Sequence, residues 1–154
     1  MGAPTLTEDK TDADTGGLGG LEDILGLRIR LAHGAVYRHF TETFADLGLT
    51  QKQVSALWLV SDNPGISQID LGGRLRMDRA TTMTIVNRLQ ARDYMRRERS
   101  DSDGRKQALY LTPEGEAALD EAKRCIAEHE AWLKSRFTAD EIEKLVEMLA
   151  RIHE

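Results

Sequence analysis

Asp78-Arg79-Ala80-Thr81-Thr82-Met83-Thr84-Ile85-Val86-Asn87-Arg88-Leu89-Gln90-Ala91-Arg92 is the stretch that decides the fold. Asp78 is placed as an N-cap, its carboxylate able to accept from the orphan amides of a helix running to about Arg92. Thr82, Ile85, Val86 and Leu89 recur at the spacing of an inward stripe. Arg79, Ala80, Met83, Thr84 and Asn87 then fall on the outward face. That face lacks the Glu and Lys that merely keep a helix soluble; it carries side chains able to meet phosphates and base edges. Beyond it, Tyr94 to Arg99 and Gln107 to Leu111 read as two strands flanking the polar turn Ser100 to Lys106 (SDSDGRK). Gly104 eases the turn, and Arg105 and Lys106 stand at its exit, so the hairpin has a basic tip.

Upstream, Ser67 caps a short helix to Leu75 whose apolar positions are Ile69, Leu71 and Leu75. Gly72-Gly73 weakens it, so tertiary packing must hold it. Thr50 and Gln53 form a capping box that opens a helix through Val54, Leu57, Trp58 and Val60, and Asn63-Pro64-Gly65 ends it. Two apolar lines, Ile24, Leu27, Leu31, Ala35 and Ala32, Val36, Phe40, Phe44, Leu47, predict a first long helix stopped at Gly48 and covered on more than one side. Downstream, Thr112 and Pro113 open a long helix through Leu119, Ala122, Ile126, His129 and Leu133. Thr138 and Glu141 cap a last one with the stripe Ile142, Leu145, Val146, Leu149 and Ile152. Too little chain remains to cover that stripe, and a second copy is the economical partner, so a homodimer is expected.

The chain has 154 residues, 40% hydrophobic and 31% charged, a globular composition the length of one ordinary domain. No apolar run approaches the roughly 20 residues of a membrane span, so no membrane association is expected. Residues 1–20 are acidic and Gly-rich without an apolar stretch, and read as a flexible tail rather than a targeting signal. The single cysteine, Cys125, cannot close an internal disulfide, and the cytoplasm is the default location. The formal net charge is −5, but Arg74 to Lys106 holds ten basic residues against five acids, while the remainder holds 11 basic and 21 acidic. Such polarity suits a polyanion, although the same run can also be a solvated face.

Taken together and in this order, three motifs carry a resemblance: Leu49-Thr50-Gln51-Lys52-Gln53; Asp78-Arg79-Ala80-Thr81-Thr82 leading to Val86-Asn87-Arg88-Leu89; and Asp103-Gly104-Arg105 followed by Leu109-Tyr110-Leu111-Thr112-Pro113-Glu114-Gly115. From about Leu21 to the C-terminus the chain resembles the multiple-antibiotic-resistance regulator (MarR) family of bacterial winged-helix repressors. The resemblance implies a mainly α fold with a small β-hairpin wing, dimerised through N- and C-terminal helices. Residues 21–154 would form one domain, with the winged helix-turn-helix about 50–111 and dimerisation helices about 21–47 and 113–153. It implies a sequence-specific regulator of transcription, usually a repressor on a pseudo-palindromic operator. The helix from Asp78 would lie in the major groove of double-stranded DNA. There Arg79, Thr81, Thr84 and Asn87 can hydrogen-bond base edges, flanked by Ala80, and Met83 can touch a thymine methyl. Arg105 would enter the minor groove with Lys106 beside it, while Arg88, Arg96, Arg97 and Arg99 make phosphate contacts or framework ion pairs. Departures from the family pattern are Ser100 for the first acid of the wing, Asp93 for a helix-ending glycine and Met83 for a frequent threonine.

Relatives release DNA when a small effector binds, which for this chain would be an aromatic acid, aldehyde or thioester. Arg30, His33 and Tyr37 share one face of the first long helix and Trp58 lies on the second, so these four are effector candidates; Tyr37 and Trp58 also fit a core role. Enzymatic chemistry is not expected: there is no metal-ligand spacing, phosphate loop or nucleophile elbow, hence no catalytic residue, metal or cofactor. Cys125 sits well inside a helix, which favours an inert thiol over a redox sensor. His33, His39, His129 and His153 have no spacing that predicts a metal sensor. A dimerisation module that ignores DNA is the remaining rival, and an absent salt dependence would reveal it.

Overall fold

The computed structural model describes residues 17–99 and 107–154, which fall into two compact units, one ending at Ala35 and one spanning Val36–Glu154. The chain runs through a short 3-10 turn (Gly19–Asp23), α1 (Leu25–Thr43), a second 3-10 turn (Ala45–Leu47), α2 (Gln51–Asp62), β1 (Ile66–Ser67), α3 (Gln68–Arg74) and α4 (Arg79–Ala91). It continues through β2 (Met95–Arg99), β3 (Gln107–Leu111), α5 (Pro113–Lys134) and α6 (Ala139–His153).

The boundaries follow the expected punctuation. In the unit ending at Ala35, Leu25, Ile29 and Leu31 on α1 are exposed, so the predicted cover on that stretch is not supplied within it. In the larger unit Gly48 ends the first segment in the left-handed region, at φ +61, where glycine carries no Cβ penalty. Thr50 with Gln53 and Thr138 with Glu141 form complete capping boxes. Ser67, Asp78 and Thr112 each accept one backbone amide at the start of α3, α4 and α5.

The sheet holds one strand more than the hairpin read from the sequence. Its order is β1-β3-β2, all antiparallel, with Met95 opposite Leu111, Arg97 opposite Leu109, and Ile66 also opposite Leu109. Two residues of pairing are too short to leave a periodicity signal. Gly65, at φ +86, turns the chain so that its amide donates to Leu109 O at 2.8 Å.

Leu57, Val60, Leu71, Val86, Leu89, Leu109 and Leu119 are fully enclosed, and Phe40 and Phe44 stack at 4.0 Å between centroids against them. Close approach explains two glycines. A Cβ on Gly72 would lie 2.6 Å from Thr82 Oγ1, so α3 survives its Gly-Gly pair because α4 packs directly upon it. A Cβ on Gly115 would lie 1.9 Å from the carbonyl oxygen of Tyr94. Asp93, the departure noted above, occupies φ +59; Asp is among the few residues besides Gly that tolerate that region. α6 buries none of its residues, and Val146 and Ile152 are 62% and 65% exposed.

Candidate nucleic-acid interface

α4 presents its two faces as the spacing predicts. Thr82 is buried and its hydroxyl donates to Asp78 O at 2.8 Å, so it belongs to the core side. Asp78 Oδ1 accepts from the Thr81 amide at 2.7 Å, and that amide, with the Thr81 hydroxyl next, holds the Asp78 carboxyl below its usual range. Arg79, Ala80, Met83, Thr84, Asn87 and Arg88 are exposed, while Thr81 is half-buried. The Thr84 hydroxyl donates to Ala80 O at 3.0 Å, which leaves its oxygen to act as an acceptor. Arg105 and Lys106, the expected tip of the wing, lie outside the described residues.

The basic segment divides into structural and outward-facing charges. Arg74 donates to Asn63 Oδ1, and Arg76 to His153 O. Arg92 donates to the carbonyls of Leu47 and Gly48 and to the Tyr94 hydroxyl, satisfying the end of the 3-10 turn that follows α1. Arg96 pairs with Glu98 and lies over the Tyr110 ring at 4.5 Å. Arg97 donates to Asn87 Oδ1 at 2.7 Å. Arg79, Arg88 and Arg99 have no hydrogen-bond or ion-pair partner among the described residues. Of the four arginines offered as phosphate ligands or framework ion pairs, Arg96 and Arg97 make polar contacts within the chain, and Arg88 and Arg99 make none with the described residues.

Two cavities of about 650 Å³ each flank α2 within the larger unit. The first is walled by Phe40, Trp58, Ile126, His129 and Leu133, with Lys52 and Arg76 as cations and Asp78 and Glu130 as acids. The second lies between α1, the start of α2 and α4, and reaches Tyr37, Phe44, Lys52, Thr84 and Arg88. Of the effector candidates, Trp58 lines the first cavity and Tyr37 the second, so the fold places these two aromatics at neighbouring cavities rather than one. Lys123 lies over the Trp58 ring at 4.9 Å. Arg30 and His33 are exposed on α1 in the unit ending at Ala35.

One feature of the first cavity had no signal in the spacing. His129 and His39 meet Nδ1 to Nδ1 at 2.8 Å, from α5 and α1, 90 residues apart. A bond between two such nitrogens requires one to be protonated and the other bare. Trp132 stacks on His39 at 3.9 Å, and Phe40 meets His129 edge-on at 5.6 Å. His129 is 5% exposed; burial first, then the neighbouring His39, push its pKa down, with Glu130 opposing. Cys125 is half-buried against the core.

The MarR family profile matches residues 47–106, from the turn before α2 to the end of the wing segment. The solved transcriptional repressor CouR, bound to a 23-mer DNA duplex, superposes with a TM-score of 0.85 at 33% identity, over 90% of this chain and 98% of that one. The chain belongs to the MarR family. Among its MarR-like relatives, a putative transcriptional regulatory protein for the hcr operon of Thauera aromatica is 27% identical over 88% of this chain and 82% of its own. The PcaV transcriptional regulator of Streptomyces coelicolor, solved with its natural ligand, has a TM-score of 0.76 at 26% identity, over 86% of this chain and 93% of that one. The MarR assignment accounts for the helix order, the three-stranded sheet and the basic segment together. It makes this protein a winged-helix transcriptional regulator rather than an enzyme.

Proposed function

We propose that this MarR-family chain is a homodimeric repressor that binds double-stranded DNA through α4 and the wing, and leaves its operator when a small aromatic effector binds. The observation that carries the DNA reading is the division of the basic segment. Five arginines are engaged within the chain, whereas Arg79 and Arg88 on α4 and Arg99 on β2 have no such partner among the described residues. Exposed cations without a counterion among the described residues fit phosphate neutralisation. CouR was solved on a DNA duplex, which supports DNA binding by this chain. Arg79, Thr81, Met83 and Thr84, with Ala80 close to the groove floor, are assigned to bases; Arg88, with Arg105 and Lys106 of the wing, to phosphates and the minor groove.

The exposed stripe of α6 is assigned to a second copy of the chain, joined by the helices before α2 and after β3. The effector is assigned to the first cavity: its aromatic walls suit a planar ring, and Lys52 and Arg76, set among Asp78 and Glu130, supply donors for a polar substituent. Its lining runs from α5 across α2 to Thr81 on α4, so this is the cavity from which an occupant is assigned to act on α4. No helix among the described residues is long and apolar enough to cross a membrane, and the protein is assigned to the cytoplasm, where its operator is.

The test is binding of the purified protein to duplex from its own promoter region, across salt and against random duplex. Specific, salt-sensitive binding of a dimer, with half-sites about one helical turn apart, is expected. Aromatic acids, aldehydes and thioesters titrated into that complex should release the DNA and alter Trp58 fluorescence. Absence of binding at low salt would overturn the reading.

A further inference from the structure

Arg97 sits where the sequence offers it as a phosphate ligand, and the strand geometry turns it the other way. Side chains alternate along β2, so Arg97 shares its face with the buried Met95. That face packs toward α4. The Arg97 Nη2 donates to Asn87 Oδ1 at 2.7 Å, and its Nε is buried without a partner among the described residues. Because guanidinium has donors alone, the atom of Asn87 that meets it must be the carbonyl oxygen, which settles the orientation of the amide. The NH2 of Asn87 is the end left on the exposed face of α4, and no described residue accepts from it.

From this geometry we infer that Arg97 is a positioning residue for base recognition, engaging one lone pair of the Asn87 carbonyl and turning the amide so that it offers the groove its NH2 first. The inference rests on the DNA reading above. A free asparagine reads adenine bidentately, accepting from N6 and donating to N7. With one lone pair of its carbonyl engaged and the amide oriented by Arg97, Asn87 is biased away from that pairing and favours edges made of acceptors, N7 and O6 of guanine or O4 of thymine. Arg97 thereby shapes specificity without touching DNA.

The test is competition binding of full-length protein against its operator with each base pair of one half-site changed in turn to the other three. Wild type is expected to prefer guanine or thymine at the pair facing Asn87. Asn87→Asp keeps an oxygen for Arg97 and replaces the groove-facing donor by an acceptor, so preference there should swing toward cytosine by about five- to tenfold, the discrimination of one hydrogen bond. Arg97→Ala frees the carbonyl and should raise adenine at the same pair by a similar factor. The salt slope should not change, whereas loss of a phosphate contact lowers it by about one. Arg97→Ala should add nothing in an Asn87→Ala background. Uniform weakening on every duplex with a smaller salt slope, or an unchanged preference in Asn87→Asp, would overturn the inference while leaving DNA binding intact. A wild type that discriminates no duplex from another would instead overturn the DNA reading and this inference with it.

Discussion

Replacing Gly115 by alanine tests how the wing and the long helix α5 are locked together. A Cβ there would stand 1.9 Å from Tyr94 O and 2.8 Å from Tyr94 C, against an ordinary carbon–oxygen contact of about 3.3 Å. The obstacle is backbone, so no rotamer relieves it; α5 or the α4–β2 junction must move by more than an ångström. The same carbonyl accepts from the Thr112 amide at 3.1 Å, and the Thr112 hydroxyl donates to Asp93 O, so the displacement also strains the start of α5. Overpacking of this kind costs about 1–3 kcal/mol, and a weakened hydrogen bond about 1 more. Thermal unfolding followed by circular dichroism, at fixed protomer concentration, should show Tm lowered by roughly 5–15 °C. Gly73→Ala is the matched control: it lies in a helix with open space around the new methyl, and should leave Tm unchanged or raise it slightly. Equal Tm values for Gly115→Ala and wild type would refute the contact.

Asp93→Gly should stabilise by about 0.5 kcal/mol and Asp93→Val should destabilise by about 1–2, since the site is left-handed; chemical denaturation midpoints read both. Stability should rise with pH through His129. Its folded pKa lies below the unfolded value of about 6.5, so as pH falls the unfolded chain takes up the proton first, and stability is lost from about 6.5 down to the folded value. His129→Gln should flatten the difference in urea midpoint between pH 5.5 and 7.5, and an unaltered pH profile would remove the histidine pair as its source. Arg79→Ala should reduce discrimination between operator and random duplex by roughly ten- to hundredfold in competition binding. Deleting Glu141 to Glu154 should give monomers or aggregates in light scattering, because the α6 stripe loses its partner surface; a soluble dimer would count against that assignment.

Local rules made most of the elements legible. Capping residues bind amides three positions away and a helical stripe repeats every three or four residues, so Thr50, Ser67, Asp78, Thr112 and Thr138 announced their helices, and α4 displayed its two faces. The candidate reading face was legible for the same reason. The two-residue strand β1 was not, because its existence rests on Leu109, more than forty residues away. Nor were the tasks of the individual arginines. Charge counting sees ten equivalent cations between Arg74 and Lys106, but a guanidinium's role depends on which carbonyl or carboxylate the fold brings within about 3 Å. Arg92 and Arg97 could be told from Arg79 and Arg88 only once α4 had packed against the sheet and the turn after α1. The meeting of His39 with His129, and the walls of both cavities, belong to this second class. Local hydrogen bonding and periodicity are written in neighbouring residues; partners separated by tens of residues are chosen by packing.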